Sequence, residues 1–176
     1  MSETPTRRLH YSVAVSLDGF IAGPHGEYDW IAFDSSFDFA ALYAQFDTLL
    51  MGRRTYEVMQ IRGMSPEGMG MKAVVVSATM KPEEHPTIRI LGGQVPEAVA
   101  VLKARPGKDI WLCGGGLLFR TLLDAGLVDF VDLAVLPLLL GDGIPLLPGG
   151  ARCPLRLEES KALPSGILVL RYSVAR

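Results

Sequence analysis

Three short stretches of this chain join small residues to groups that can take a phosphate. The first is Gly114–Gly115–Gly116, which ends the run Trp111–Leu112–Cys113 and precedes Leu117–Leu118–Phe119. Glycine lets a backbone approach a ligand closely, and the outward amide N–H groups of a helix start favour an anion. A diphosphate fits that description; a tight strand-to-helix turn with no ligand needs only two of the three glycines. The second is Gly52–Arg53–Arg54–Thr55, which follows Asp47–Thr48–Leu49–Leu50–Met51. Guanidinium groups grip phosphate oxygens in pairs. Cations at a helix N-terminus oppose the macrodipole, so two adjacent arginines there call for an anionic neighbour. A bound ligand supplies one, and Glu57, one helical turn beyond Arg53, supplies another. The third is Ser77–Ala78–Thr79 after Val74–Val75–Val76. Hydroxyls at a strand end commonly cap a turn, and beside the other two stretches they contribute to an anion site. Ser16–Leu17–Asp18–Gly19 carries a turn signal at Asp18–Gly19. Asp18 either bonds its own backbone there or handles a proton.

Composition narrows what these stretches serve. The 176 residues are 49% apolar and 20% charged, with a formal net charge of −2, a balance typical of a globular protein with a substantial core. No lysine- or arginine-dense block appears, which argues against a nucleic-acid partner. Cys113 and Cys153 have neither metal-ligand spacing nor the makings of a disulfide framework, and Cys113 reads as a small buried hydrophobe. The apolar run Leu133–Leu140 is too short to span a membrane. The polar start, residues 1–8, reads as a flexible tail without a signal core. The expected location is the cytoplasm.

The elements that must position these stretches alternate in type. Strands are predicted at 9–16, 47–51, 73–77, 88–91, 109–113 and 130–136, with a terminal hairpin of 155–159 and 167–172. Helices are predicted from Ser35 or Ser36 to Phe46, over 53–59, over 95–104 and over 117–124 with Gly126 as C-cap. Residues 60–71, rich in glycine and methionine, read as a mobile loop. The alternation implies an α/β fold with a mixed, mostly parallel central sheet and a C-terminal antiparallel hairpin, in a single domain from residue 9 to residue 176. Ligands of such sheets bind outside the carboxyl ends of the strands, where all three stretches fall.

In this order the segments resemble the dihydrofolate-reductase-like superfamily, and within it the branch of the riboflavin-biosynthesis reductase, the RibD C-terminal domain. Ser16–Leu17–Asp18–Gly19 is similar to the branch's S-x-D-G loop, and Trp30–Ile31 to its tryptophan–isoleucine pair. Met51–Gly52–Arg53–Arg54–Thr55–Tyr56–Glu57 is similar to the M-G-R-x-T-x-E of folate reductases. Gly114–Gly115–Gly116 matches the shared glycine triplet, with Phe119 where an aromatic residue is usual, and Pro137 to Leu146 is similar to P-x-L-L-G-x-G-x-P-L. The resemblance implies a three-layer domain and an NADPH-dependent reductase, often homodimeric, acting on a pyrimidine- or pterin-like heterocycle. It implies that Gly52, Arg53, Arg54, Thr55 and Ser77, with Ala78 and Thr79, line the adenosine and phosphate end. Cys113, Gly114, Gly115, Gly116, Leu117, Leu118 and Phe119 would hold the diphosphate, through a cis peptide at Gly114–Gly115. Ala14 and the loop through Ile21 would lie against the nicotinamide. Proton delivery to the acceptor falls to Asp34, then Asp18, then Asp38, directly or through water.

Departures from the family patterns shape the substrate expectation. Met71 stands where folate reductases carry the arginine that clamps folate, and Ala134 where they carry a threonine partner for the acid. Phe20 replaces the riboflavin branch's basic or polar residue, and its D-D-P-x-L-T segment is missing. Ala78 and Leu117 replace polar residues that often meet the 2′-phosphate, a role Arg53 and Arg54 can fill. The expected activity is that of a 5-amino-6-(5-phosphoribosylamino)uracil reductase type. The alternatives are dihydrofolate reduction and a non-catalytic nucleotide-binding homodimer. The Leu133–Leu140 run and the hairpin fit a homodimer interface, and core strands explain them equally well.

Overall fold

Residues 6–175 are described by the computed structural model. Strand β1 (Leu9–Ser16) is central. After the short β2 (Phe20–Ala22) and helix α1 (Phe39–Tyr43) come β3 (Phe46–Gly52), α2 (Arg53–Ile61), β4 (Lys72–Val76), β5 (Arg89–Leu91), α3 (Val95–Lys103), β6 (Asp109–Gly114) and α4 (Gly116–Asp124). The chain finishes with β7 (Phe130–Leu136), β8 (Ile144–Pro145), β9 (Leu155–Ala162) and β10 (Leu168–Val174). Eight strands form one sheet in the order β5-β4-β3-β6-β1-β7-β10-β9, and β2 pairs with β8 in a two-stranded ribbon. All pairs from β5 to β7 are parallel; β10 runs antiparallel to β7 and to β9. The mixed sheet with its terminal hairpin is therefore as expected from the alternation of patterns.

Strand periodicity gives each sheet face its own core. Leu9, Tyr11, Leu50, Val74, Ile110, Leu112 and Val131 meet Val99 and Leu102 of α3 and Leu118, Phe119 and Leu122 of α4. On the opposite face Phe46, Leu49, Met51 and Val75 meet Tyr56 and Met59 of α2, with Tyr43 of α1 against them. A third cluster on that second face joins Leu136, Leu163 and Ile167 to Trp30, Phe37, Ala14 and Ala134.

Four expectations need correction. The predicted first helix shrinks to Phe39–Tyr43, because Asp38 caps it by accepting from the Ala41 amide at 2.9 Å. Upstream, Asp34 Oδ1 has already captured the Ser36 amide and hydroxyl, making a turn of the residues meant to start the helix. Residues 60–71 are only partly a loop: α2 runs to Ile61, a 3-10 turn covers Glu67–Met69, and Met71 is buried. The predicted flexible tail also ends early. Residues 1–5 lie outside the described residues, but Arg7 is buried, paired with Asp47 and bonded to Thr48 Oγ1 at 2.7 Å, and the Arg8 amide binds Asp109. These partners lie some 40 and 100 positions away, beyond the reach of local polarity. Finally, β9 and β10 extend past their predicted ends, to Ala162 and Val174, because they pair with each other along that length, Leu168 with Ala162 and Val174 with Leu155.

Candidate active site

The cleft begins where two neighbouring strands part. Strands β1 and β6 pair only from Leu9–Ile110 to Tyr11–Leu112, whereas β1 and β7 stay paired to Ser16–Leu136. At the parting Trp111 donates its indole N–H to the Ser12 carbonyl at 2.8 Å, satisfying an acceptor the missing ladder would have used. Register places Ser12, Ala14, Trp111, Cys113 and Ala134 on one face, and all five are only partly buried although they sit mid-sheet. A central sheet surface left uncovered at the carboxyl ends of parallel strands is where α/β sheets bind ligands. An irregularity in the β3–β6 register, Leu50 facing Leu112 but Met51 facing Gly114, brings the glycine triplet to the rim.

The two glycine turns meet there. A Cβ on Gly114, whose φ is +148°, would lie 2.9 Å from Thr55 Oγ1. One on Gly116 would lie 3.0 Å from the Pro145 carbonyl and 3.1 Å from Pro148 Cδ. Those two glycines are required by packing. Gly115 and Gly52 instead face open space, and each is the N-cap residue of a helix, α4 and α2, that receives no side-chain cap. The Gly114–Gly115 peptide is cis. Two uncapped helix starts thus open side by side on the cleft, with first-turn amides free to meet an anion.

The arginines divide between them the two readings left open by sequence. Arg53 pairs with Glu57 at 3.2 Å and also donates to Thr79 Oγ1 at 2.8 Å, tying the second and third stretches together. Arg54 is exposed and makes no hydrogen bond or ion pair among the described residues. Ser77 is buried, and its Oγ accepts from the Thr79 and Met80 amides at 3.2 and 3.0 Å, shaping the turn with Ala78 exposed at its tip. Leu117 is 77% exposed at the start of α4. Leu118 and Phe119, by contrast, point into the core. Phe119 spends its amide on the Gly115 carbonyl and stacks on Tyr11 at 3.8 Å, so it holds the helix in place. Burial pushes the Cys113 thiol up to about 12, leaving it protonated and a poor nucleophile.

Neither leading carboxylate is placed as a free acid. Asp18 accepts from Ser16 Oγ at 2.6 Å and from the Gly141 and Leu140 amides at 2.7 and 3.1 Å. The Ser16 hydroxyl foremost, with those amides, lowers its carboxyl to about 2. Asp34 accepts from Ser36 and, through Oδ2, from the Ser165 amide at 3.1 Å in the β9–β10 turn. Ser165 and Ser36 hold it well below the carboxylate range. Both are anions at neutral pH, and both join loops. Asp38 is spent on capping α1. Ile21 sits half-buried in β2, in the loop beyond Asp18.

Sequence reading missed an aromatic wall. Phe37, Phe39, Tyr43 and Trp111 follow one another at centroid distances of 4.8, 6.1 and 5.8 Å. Helix α1 buries none of its residues, so Phe39 and Tyr43 remain accessible beside the uncovered sheet centre. Trp111 was the available signal: a large amphipathic ring on the strand that ends in the glycine triplet, at the alternation position opposite Leu112.

A sheet of this order, parted between β1 and β6 and rimmed by two glycine turns, has the dihydrofolate-reductase-like fold. The dihydrofolate reductase of Enterococcus faecalis, solved with NADP(H) and RAB-propyl, superposes with a TM-score of 0.69 at 16% identity, covering 96% of this chain and 97% of that one. Residues 7–169 match the RibD C-terminal domain, and the chain belongs to that family. The uncharacterized protein YyaP of Bacillus subtilis (strain 168) is 33% identical, over 94% of both chains. A candidate riboflavin biosynthesis protein of Shewanella sp. PV-4 has a TM-score of 0.81 at 25% identity, covering 96% of this chain and 99% of its own.

Proposed function

We propose that this protein is an NADPH-dependent reductase of the 5-amino-6-(5-phosphoribosylamino)uracil reductase type, acting on a pyrimidine- or pterin-like heterocycle. One observation carries the reading: two uncapped helix starts, at Gly52 and Gly115, open side by side, with Arg54 in the first turn of α2 exposed and making no hydrogen bond or ion pair among the described residues. Such a donor set fits a dinucleotide carrying an extra phosphate. The backbone of Gly115 to Leu118 would hold the diphosphate, and Arg54, with Arg53, Thr55, Ser77 and Thr79, the phosphorylated adenosine end. Ala14, Cys113 and the loop through Ile21 would bound the nicotinamide. When bound, the dihydronicotinamide supplies the hydride.

The protein's own part is to bind, orient and exclude water. Trp111, Tyr43 and Phe37 offer ring faces to a planar acceptor, a contact worth about 0.5–1.5 kcal/mol per stacked pair beyond area burial. The Asp34 and Asp18 carboxylates, held ionised, can order a water that protonates the product but do not themselves carry the proton at neutral pH. That same ionisation favours a second reading, a nucleotide-binding protein without turnover. The expected assembly is a cytoplasmic homodimer; no helix among the described residues is long and apolar enough to cross a membrane.

The experiment is to mix the protein with NADPH and, in turn, a phosphoribosylaminopyrimidine, dihydrofolate and simple carbonyl compounds, following loss of NADPH absorbance. Oxidation with the aminopyrimidine is expected. Saturable NADPH binding with no oxidation by any acceptor supports the second reading instead, and turnover confined to dihydrofolate overturns the substrate assignment.

A further inference from the structure

The segment 137–148 bridges the loop after β1 and the first turn of α4. At one end it is zipped to the loop that follows β1. Leu17 donates to the Leu138 carbonyl at 2.9 Å, Leu146 to the Gly19 carbonyl at 2.9 Å, and Phe20 and Ala22 pair with Pro145 and Ile144. Gly143 packs so tightly against the Ala22 carbonyl and Phe20 that no side chain fits there. Residues 145–148 of the segment also lie on the start of α4. The Pro145 carbonyl and Pro148 ring press on Gly116 at the first turn of α4, and Tyr11, stacked on Phe119 of that helix, donates its hydroxyl to the Leu146 carbonyl at 3.4 Å.

We propose that Asp18 is a positioning residue: its carboxylate fixes this strap against the post-β1 loop, and the strap carries that position to the Gly116 turn, so that the nicotinamide-side loop and the diphosphate-side turn are held as one unit. The inference rests on the cofactor reading above. The clamp consists of four polar partners in a small space. Oδ1 accepts from the Leu140 amide and the Ser16 hydroxyl, Oδ2 accepts from the Gly141 amide, and Ser16 Oγ in turn accepts from the Phe20 amide at 2.9 Å. Both carboxylate oxygens are used, on backbone donors more than 120 positions away. Gly141 adopts φ +79°, and Leu139 beside it is 68% exposed. Little apolar packing therefore holds the tip of the strap, and the carboxylate is the side-chain anchor of residues 140–141, beside the backbone bonds at Leu17, Gly19 and β2. Removing it frees the tip and also the Ser16 hydroxyl that holds the Phe20 amide, and Phe20 pairs with Pro145, whose carbonyl lies on Gly116.

The test compares amide exchange and NADPH affinity in the wild-type chain, Asp18→Ala and Asp18→Asn. In Asp18→Ala, exchange is expected to speed up at Leu140 and Gly141 and also at Gly116 to Leu118. Exchange in β4, across the sheet, is expected to stay at the wild-type rate, which separates coupling from general loosening. NADPH affinity is expected to fall tenfold or more, although Asp18 lies across the cleft from the Gly115 turn. Asp18→Asn keeps the Oδ1 acceptor and is expected to recover part of both effects; it also serves alone where the alanine variant does not fold. The proposal is overturned if residues 140–141 open while Gly116 to Leu118 and NADPH affinity stay at wild-type values, or if β4 loosens equally. Absence of NADPH binding by the wild-type chain would sink the cofactor reading, and the exchange arm, which needs no cofactor, would still decide the coupling.

Discussion

Gly114 and Gly115 are chemically identical neighbours with different duties, and substitution separates them. At Gly114 a methyl group meets positive φ and Thr55 at once. Gly114→Ala is expected to destabilise the fold by about 1–3 kcal/mol, read as a lowered urea midpoint. At Gly115 a methyl group meets nothing within 4 Å in the protein itself. Gly115→Ala is expected to fold with a midpoint near wild type and to lose NADPH, because the methyl occupies the space a diphosphate would enter. Arg53 and Arg54 divide in the same manner. Arg53 already has Glu57 and Thr79 as partners, so its loss also loosens the turn; Arg54 is exposed and makes no hydrogen bond or ion pair among the described residues, so its loss leaves the turn intact. The sequence pattern pointed to the turns as candidate anion sites. It did not separate the packing glycines from the open one, because that depends on Pro145, Pro148 and Thr55, which approach from distant parts of the chain.

At the scale of elements, buried charge stitches together β1, β7 and β10. Asp132 of β7 accepts from His10 of β1 at 2.8 Å and from Arg171 of β10 at 2.8 Å. Burial alone would raise its carboxyl, but these donors outweigh burial and hold it below the ordinary value. Asp132→Ala removes the shared acceptor and leaves two cationic or polar groups without it, a loss of about 3–5 kcal/mol in unfolding free energy. The sign with pH follows from the lowered carboxyl. Its contribution is complete above the unfolded-state pKa of about 3.9 and is lost as pH falls through the lower folded value. The urea midpoints of wild type and Asp132→Ala are therefore expected to converge below about pH 4 and to stay apart at pH 7. Strand identities and the terminal hairpin were legible because alternation and β-branched content are local signals. The short α1 was not, since Asp34 and Ser36 close a turn that competes with helix initiation. Nor was the parting of β1 from β6, since no residue of either strand marks where a ladder stops; only the indole of Trp111 on the Ser12 carbonyl reveals it.

Across the whole molecule, helices cover the sheet unevenly. Helices α3 and α4 pack on one face from β4 to β1, but at the β10–β9 end of that face Leu155, Leu157 and Leu168 are 43%, 52% and 43% exposed beside Tyr172 and Val174. An apolar sheet face of this kind suits the expected homodimer. Leu157→Glu is expected to shift the mass measured by light scattering from dimer to monomer; a wild-type monomer would remove the assembly from the account. Cofactor capture by the two helix starts is the claim on which the rest depends. Calorimetric titration of NADPH into wild type and Arg54→Ala tests it most directly. Saturable one-to-one binding is predicted, weakened about tenfold in Arg54→Ala, or about 1.4 kcal/mol. No saturable binding to the wild-type chain, or equal binding by both, would contradict it.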